Sequence, residues 1–263
     1  MRPHIQTDDL ATERQSQVWA ALATVMDPEL DESVTELRFV THADIGADSR
    51  VQIGFRLPTY WCAANFSFLM ADDMRRAVTA LDWVKDVEVT LGEHMYAEKI
   101  NRGLARGLSF KETFGDEADG DVEEIRQKFL VKAFQRRQAA ILGHLVATGA
   151  AAEALVELTV EQLEDLVLDA DGVRMRRRYL DRRGAVGPIL PTASAFVTAE
   201  GRNLDGEGFA KYLSGLRRIG ISAEFNGELC RGLLAVRFDC ETPLKNSHDV
   251  SPVAASRQLP LSA

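Results

Sequence analysis

The spacing of hydrophobic positions changes several times along the chain, and each change marks an element. From Ala11 to Met26, the residues Val18, Trp19, Leu22, Val25 and Met26 fall on one helical face, with Thr12 as a candidate cap. Residues 1–10 are polar and read as a flexible lead. Asp27-Pro28 ends the helix, because the residue before a proline is pushed out of the helical region. Val34 to Thr41 reads as a strand. In Arg50 to Leu57, Val51, Ile53, Phe55 and Leu57 alternate with Gln52, Gly54 and Arg56, the pattern of a half-buried strand. The polar stretch from Ala43 to Asp48 joins the two as a hairpin, and Pro58-Thr59-Tyr60-Trp61 breaks the alternation. A second helix is predicted from Cys62 to Leu81, with Phe66, Leu69, Met70, Met74 and Val78 on one stripe. A third strand, Asp86 to Leu91, turns Val87, Val89 and Leu91 inward. The order helix, strand, strand, helix, strand predicts a small α+β domain over 11–100, with helices on one face of a mainly antiparallel sheet.

The remainder divides less sharply. Met95 to Phe114 is polar and followed by an acidic link, Asp116 to Asp121. A long helix is predicted from Val122 to about Ala147, with Ile125, Phe129, Val131, Ala133, Ile141 and Leu145 as its apolar side. Thr159 opens a shorter helix, with Gln162 in the capping-box position. Residues 101–190 therefore read as a mainly helical segment that ends in a basic run, Arg174 to Arg183. Gly184, Gly187, Pro188 and Pro191 mark a linker. Residues 191–240 read as a second small α+β unit: a strand at Ala195 to Thr198, a helix at Leu204 to Ile219, then strands at Ser222 to Phe225 and Leu229 to Phe238. Asn226-Gly227 is a hairpin signal between those strands. The tail, 241–263, has the composition of a disordered segment.

Composition narrows the function classes. The chain has 263 residues, 46% of them hydrophobic and 27% charged, the usage of a folded globular protein. A net charge of −9 argues against attraction to nucleic acid or to an anionic membrane. No run of about 18 apolar residues predicts a membrane span. The first ten residues lack the apolar core of a secretory signal, so a cytoplasmic protein is expected. No phosphate-loop pattern Gly-x-x-x-x-Gly-Lys-[Ser/Thr] occurs, so no nucleotide is expected.

The candidate chemistry centres on thiols. Cysteines occur at 62, 230 and 240, without a CxxC pair, and the expected compartment is reducing; a disulfide framework is not predicted. Cys62 stands where a strand end meets a helix start. Free N–H groups at a helix N-terminus favour negative charge, so a sulfur there is favoured as the thiolate, the form that binds iron. The competing reading is a buried core cysteine beside Trp61 and Phe66. His94, after the third strand, is a possible metal ligand or base, against a plain exposed loop histidine. Asp27 and Glu29 flank a proline, where their plain reading is helix termination and a solvated acidic turn. Cys230 and Cys240 are expected at the two ends of one strand, roughly 33 Å apart, and so in packing roles. Arg174, Arg176, Arg177 and Arg178 are candidates for docking an acidic partner, against a merely solvated face.

Asp27-Pro28-Glu29-Leu30 after the first helix, then Glu36-Leu37-Arg38-Phe39-Val40, an alternating strand and Thr59-Tyr60-Trp61-Cys62, resemble a known family. It is the metal–sulfur (iron–sulfur) cluster assembly domain family of the SufT/PaaD type, which includes the eukaryotic cytosolic iron–sulfur targeting factors. The resemblance covers roughly residues 12–100 and leaves a long C-terminal extension. Asp27, Pro28, Glu29, Thr59 and Cys62 map onto the family's motif positions. Ala63 and Arg38 depart from the proline and glycine common there, which bears on the turn and on the partner surface.

The resemblance implies that Cys62 is a metal or cluster transfer point, with Asp27, Glu29 and Thr59 shaping its site. The expected cargo is a transient iron–sulfur cluster or iron. Common clusters take about four protein ligands, so one thiol requires the rest from a second protomer of a homodimer, a partner protein or a small thiol. A non-enzymatic accessory factor is expected, acting with other cofactor-assembly proteins on a client metalloenzyme. Longer chains of this form accompany bacterial soluble di-iron monooxygenases, which implies such an oxygenase as the client. The alternatives are a metal-free adaptor or assembly chaperone on the same fold, and a thiol enzyme pairing Cys62 with His94. The enzyme requires the two side chains within hydrogen-bond reach.

Overall fold

The computed structural model describes residues 7–117 and 122–238. Its first unit contains α1 (Thr7–Ala23), β1 (Val40–Ile45), β2 (Arg50–Phe55), α2 (Ala64–Thr79) and β3 (Asp86–Leu91). The three strands form one sheet in the order β1-β2-β3. Val51, Ile53 and Phe55 of β2 and Val87, Val89 and Leu91 of β3 bury one face. They share a core with Val18 and Leu22 of α1 and with Met70, Met74 and Val78 of α2. The other face is polar, with Gln52 hydrogen-bonded to Glu88 at 3.2 Å. Gly54 lies under the His42 ring, where an added Cβ would come within 2.0 Å of an imidazole carbon.

The α+β architecture matches the hydrophobic pattern, with local differences. Described helix already begins at Thr7, so Thr12 is an interior residue whose carbonyl accepts from Ser16. The helix ends at Ala23, and Val25 and Met26 belong to the following turn. The first strand begins at Val40, not at Val34. Val34, Leu37 and Phe39 are buried, but through turns in which Val34 N–H bonds to Val25 O, Leu37 N–H to Ser33 O and Phe39 N–H to Val34 O. The strand continues through Thr41 to Ile45, a stretch whose polar residues imitate a loop. β1 and β2 are antiparallel, but β3 joins β2 in parallel, because the α2 crossover returns the chain in the same direction.

After β3 come α3 (Ala97–Ala105) and α4 (Phe110–Phe114), which add Ile100, Leu104, Phe110 and Phe114 to the first core. A capping box between Ser109 and Glu112 starts α4. Next are α5 (Val122–Ala147), α6 (Ala152–Glu157), α7 (Val160–Asp165), α8 (Ala170–Arg183) and α9 (Phe209–Phe238). The long helix α5 has its predicted span. The Thr159–Gln162 capping box opens α7 as predicted.

Residues 191–240 do not form the second α+β unit expected. Residues 194–203 make isolated bridges rather than a strand, and α9 runs through both expected strands and through Asn226-Gly227. Helical spacing decides this. Phe209, Leu213 and Leu216 pack into a second core with Phe134, Ile141, Leu142, Leu163, Tyr179 and Phe196, whereas Leu234 belongs to the first core. These positions line up only on a 3.6-residue period, and tertiary burial overrides the local turn preference of Asn-Gly. Cys240 and the tail 241–263 lie outside the described residues, as does most of the acidic link.

One buried ion pair ties the two cores together. Arg137 of α5 makes two hydrogen bonds to Asp31, Nε to Oδ2 at 2.6 Å and Nη2 to Oδ1 at 2.8 Å, and each side chain is only 6% exposed. Its third nitrogen donates to the Arg178 carbonyl at 2.7 Å. Asp31 holds a left-handed backbone conformation (φ 54°) that its neighbours enforce. Removing this cation leaves the buried carboxylate only the looser Arg182, whose Nε lies 3.8 Å from Oδ1, so Arg137→Ala is expected to cost about 3 kcal/mol. Urea unfolding measures this, and a loss below about 1 kcal/mol would show that the pair does not hold the units together.

Candidate functional site

Three segments of the first unit converge at one end of the sheet: the turn before α2, the loop after α1 and the loop after β3. Cys62 lies on the turn, two residues ahead of Ala64, with Ala63 at the N-cap position and no side-chain cap. Leu57 and Pro58 are buried and anchor the turn. The Cys62 thiol is half-buried, and its Sγ lies 3.1 Å from Thr59 Oγ1. The same turn carries Tyr60 and Trp61 outward, 51% and 72% exposed. The thiol is thus bordered by bare aromatic surface.

His94 supports the turn from below. Its Nδ1 accepts the Tyr96 N–H at 3.1 Å, so the other nitrogen carries the proton, and Nε2 donates to the Cys62 carbonyl at 2.8 Å. Burial lowers its pKa below the usual 6.5, and the nearby Arg237 charge adds to this, while the Cys62 bond opposes it. The imidazole is neutral near pH 7. By sequence alone His94 is a candidate ligand or base. Its two nitrogens are instead committed to backbone groups, and it faces the Cys62 peptide rather than the thiol. It acts here as a positioning residue.

The loop after α1 folds around Asp27. Its Oδ1 accepts N–H groups from Glu29 at 2.9 Å and Leu30 at 2.7 Å, and its own N–H bonds to the Glu32 carbonyl. Asp27 is 8% exposed. Burial pushes its pKa up from the ordinary 3.8 to about 6, against the pull of the two N–H donors. The turn is therefore not solvated. Glu29 reaches outward and accepts from Asn226 of α9 at 3.1 Å, while Arg136 of α5 donates to the Glu29 carbonyl at 2.6 Å.

The extension closes over this end of the domain, and here the structure departs furthest from the sequence pattern. Arg231 of α9 pairs with Glu32 at 2.6 Å, and Arg237 donates to the carbonyls of Leu57 at 3.2 Å and Glu93 at 2.8 Å. Cys230 lies on this face, half-buried against the first core, as Cys62 is. Its thiol is pushed up to about 11, by burial first and then by the charges of Asp27, Cys62 and Glu29. Cys230 packs against the first core as expected, but from a helix rather than a strand end, and α9 carries it to the end of the sheet where Cys62 lies. The signal for this is helical: Asn226, Cys230, Leu234 and Arg237 recur at spacings of four, four and three.

The basic run lies on α8. Arg176 is tied to the carbonyls of Leu163 and Leu166, and Arg178 reaches the Asp31 carbonyl at 3.4 Å. Arg174 pairs with Asp171 on the exposed face, and Arg177 is exposed. The run thus serves internal packing on one side and presents cations on the other. Among the described residues, no group of three His, Cys, Asp or Glu side chains is arranged to hold a metal ion, and no helix is long and apolar enough to cross a membrane.

Residues 15–91 match the family model described as iron–sulfur cluster assembly protein. Residues 15–91 are thus similar to an iron–sulfur cluster assembly domain. The match includes Asp27, Glu29, Thr59 and Cys62 and stops at the end of β3, so His94, α3, α4 and the whole extension lie beyond it. A crystal structure of a domain of unknown function from Bacillus anthracis, of the DUF59 type, is 20% identical. Its alignment covers 36% of this chain and 93% of that one, with a TM-score of 0.29. No curated protein matches the chain.

The raised pKa of Asp27 sets a pH dependence. Between 3.8 and about 6 the folded state holds more protons than the unfolded chain, so this residue's contribution to stability is lost as pH rises through that window. His94 acts oppositely: its lowered pKa makes stability fall as pH drops below 6.5. Asp27→Asn mimics the protonated acid and isolates the first effect. Its stability relative to the parent is expected to rise between pH 4 and 7, by up to about 3 kcal/mol. Denaturant unfolding across that range measures it, and a flat difference would show that Asp27 is not destabilised by ionising.

Proposed function

We propose that this protein is an accessory factor that passes iron or an iron–sulfur cluster to a client metalloenzyme in the cytoplasm, with Cys62 as the transfer point. The observation that carries this reading is the half-exposed Cys62 thiol of an assembly domain, hydrogen-bonded to Thr59 and bordered by exposed Tyr60 and Trp61. Aromatic surface around a ligand suits docking of a protein that completes the coordination. The domain alone does not supply a full ligand set, which favours a carrier over an electron-transfer protein. Asp27, Glu29 and Thr59 shape the site, and His94 fixes the Cys62 peptide. The role is transfer, not catalysis.

The client reading is that of a soluble di-iron monooxygenase, with other assembly proteins as donors. Apolar side chains on the outer face of α9, Ile221, Phe225, Leu229, Leu233 and Val236, repeat at helical spacing and are exposed. They offer a second surface for protein contact. The same stripe, together with exposed Arg174 and Arg177, also favours a second reading, a metal-free adaptor that docks its client directly.

Co-expression of the client with Cys62→Ala separates the two. The transfer reading expects the client's iron content and activity to fall by at least about 10-fold, on the scale of losing a metal ligand. Unchanged iron in the client, with client binding retained, leaves the adaptor. Iron titration of the purified protein gives an independent check: the transfer reading expects a thiolate-to-iron absorption band that Cys62→Ala removes.

A further inference from the structure

Cys230 has no place in a reading that uses one thiol, yet its surroundings are specific. Asn226, Cys230, Leu234 and Arg237 share one face of α9. The other three are each anchored on the assembly domain: Asn226 on Glu29, Leu234 in the first core, and Arg237 on the carbonyls of Leu57 and Glu93. Leu57 and Glu93 flank the two segments that carry Cys62 and His94. Cys230 is thus held between fixed points around the Cys62 turn. Both sulfurs are free, both are half-buried against the same core, and Cys62 is among the charges that act on Cys230.

Two thiols at one place form a ligand pair for a thiophilic cation. We propose that Cys62 and Cys230 form a dithiol that grips the iron of the cargo, with the extension helix supplying the second sulfur. This rests on the transfer reading and deepens it. On binding, each thiol gives its proton to solvent and forms one sulfur–metal bond, and the metal keeps its oxidation state. Two protein sulfurs leave the remaining positions at that iron for the cargo's own sulfides or for ligands of the recipient, which suits hand-over better than a closed four-ligand site. The dithiol also gives the extension a chemical role. Without α9 the domain holds one thiol, and with it two.

The test uses the full chain with Cys240→Ser, titrated anaerobically with Co²⁺ alone and read by thiolate-to-cobalt charge-transfer absorption. Cys230→Ser and Cys62→Ser are each expected to lose about half the amplitude, since one of two thiolates goes, and to bind at least roughly 10-fold more weakly. Loss in Cys62→Ser alone, with Cys230→Ser unchanged, overturns the dithiol and leaves the transfer reading standing. No loss in either variant overturns both. A measurement on the unmutated site guards against misfolding of the variants. Phenylarsine oxide joins two neighbouring thiols through two sulfur–arsenic bonds and releases one water. After this treatment and alkylation with iodoacetamide, peptide mapping is expected to find Cys62 and Cys230 protected together. Alkylation of either one overturns the proposal.

Discussion

The structure turns on one buried ion pair. Arg137, in the middle of the long helix α5, holds Asp31 with two hydrogen bonds in a site where both side chains are almost fully removed from water. Such a pair repays its desolvation only when its geometry is satisfied, so it acts more as a register mark than as a source of stability. It admits one arrangement of α5 against the loop that follows α1. That loop contains Asp27 and Glu29. The extension therefore does not hang loosely from the first unit; it is clamped to the loop after α1, and Arg136 to the Glu29 carbonyl repeats the contact one residue away.

With α5 fixed, α9 has little freedom. Its first half fills the second core through Phe209, Leu213 and Leu216, and its second half crosses to the first core through Leu234. The crossing places Asn226, Cys230, Arg231 and Arg237 over the same end of the sheet where Cys62 lies. The two halves of this helix thus have different duties, one structural and one at the site. Its outward face stays apolar and exposed.

Much of the N-terminal domain is legible in the sequence because its strands and helices are locally self-consistent. Val51 to Leu57 alternates, Val87 to Leu91 alternates, and the α2 stripe keeps a helical period, so local preference and final burial agree. The family motif residues are legible for a related reason: Asp27-Pro28 and Thr59 to Cys62 build tight turns whose residue types are fixed by local geometry. Pattern and structure part where burial comes from elsewhere. Val34, Leu37 and Phe39 imitate a strand but are tucked in by turns. Asn226-Gly227 imitates a hairpin, yet Asn226 serves as a helix-face residue bonded to Glu29. His94 resembles a ligand, because sequence does not reveal that both its nitrogens meet backbone groups.

By itself the sequence determined the α+β class of the first domain, its cysteine turn, the span of α5 and the capping of α7. Each depends on interactions within a few residues, which periodicity and turn chemistry record directly. Only the tertiary structure decided the parallel pairing of β3, the helical course of 209–238 and the arrival of Cys230 beside the Cys62 turn. Those outcomes depend on contacts between segments far apart in the chain, such as those carrying Asp31 and Arg137. No local pattern encodes which distant carboxylate a buried guanidinium will meet. Cys62 is thus visible in the sequence as a thiol at a turn, whereas its surroundings, including a second thiol, are set by the packing of the extension.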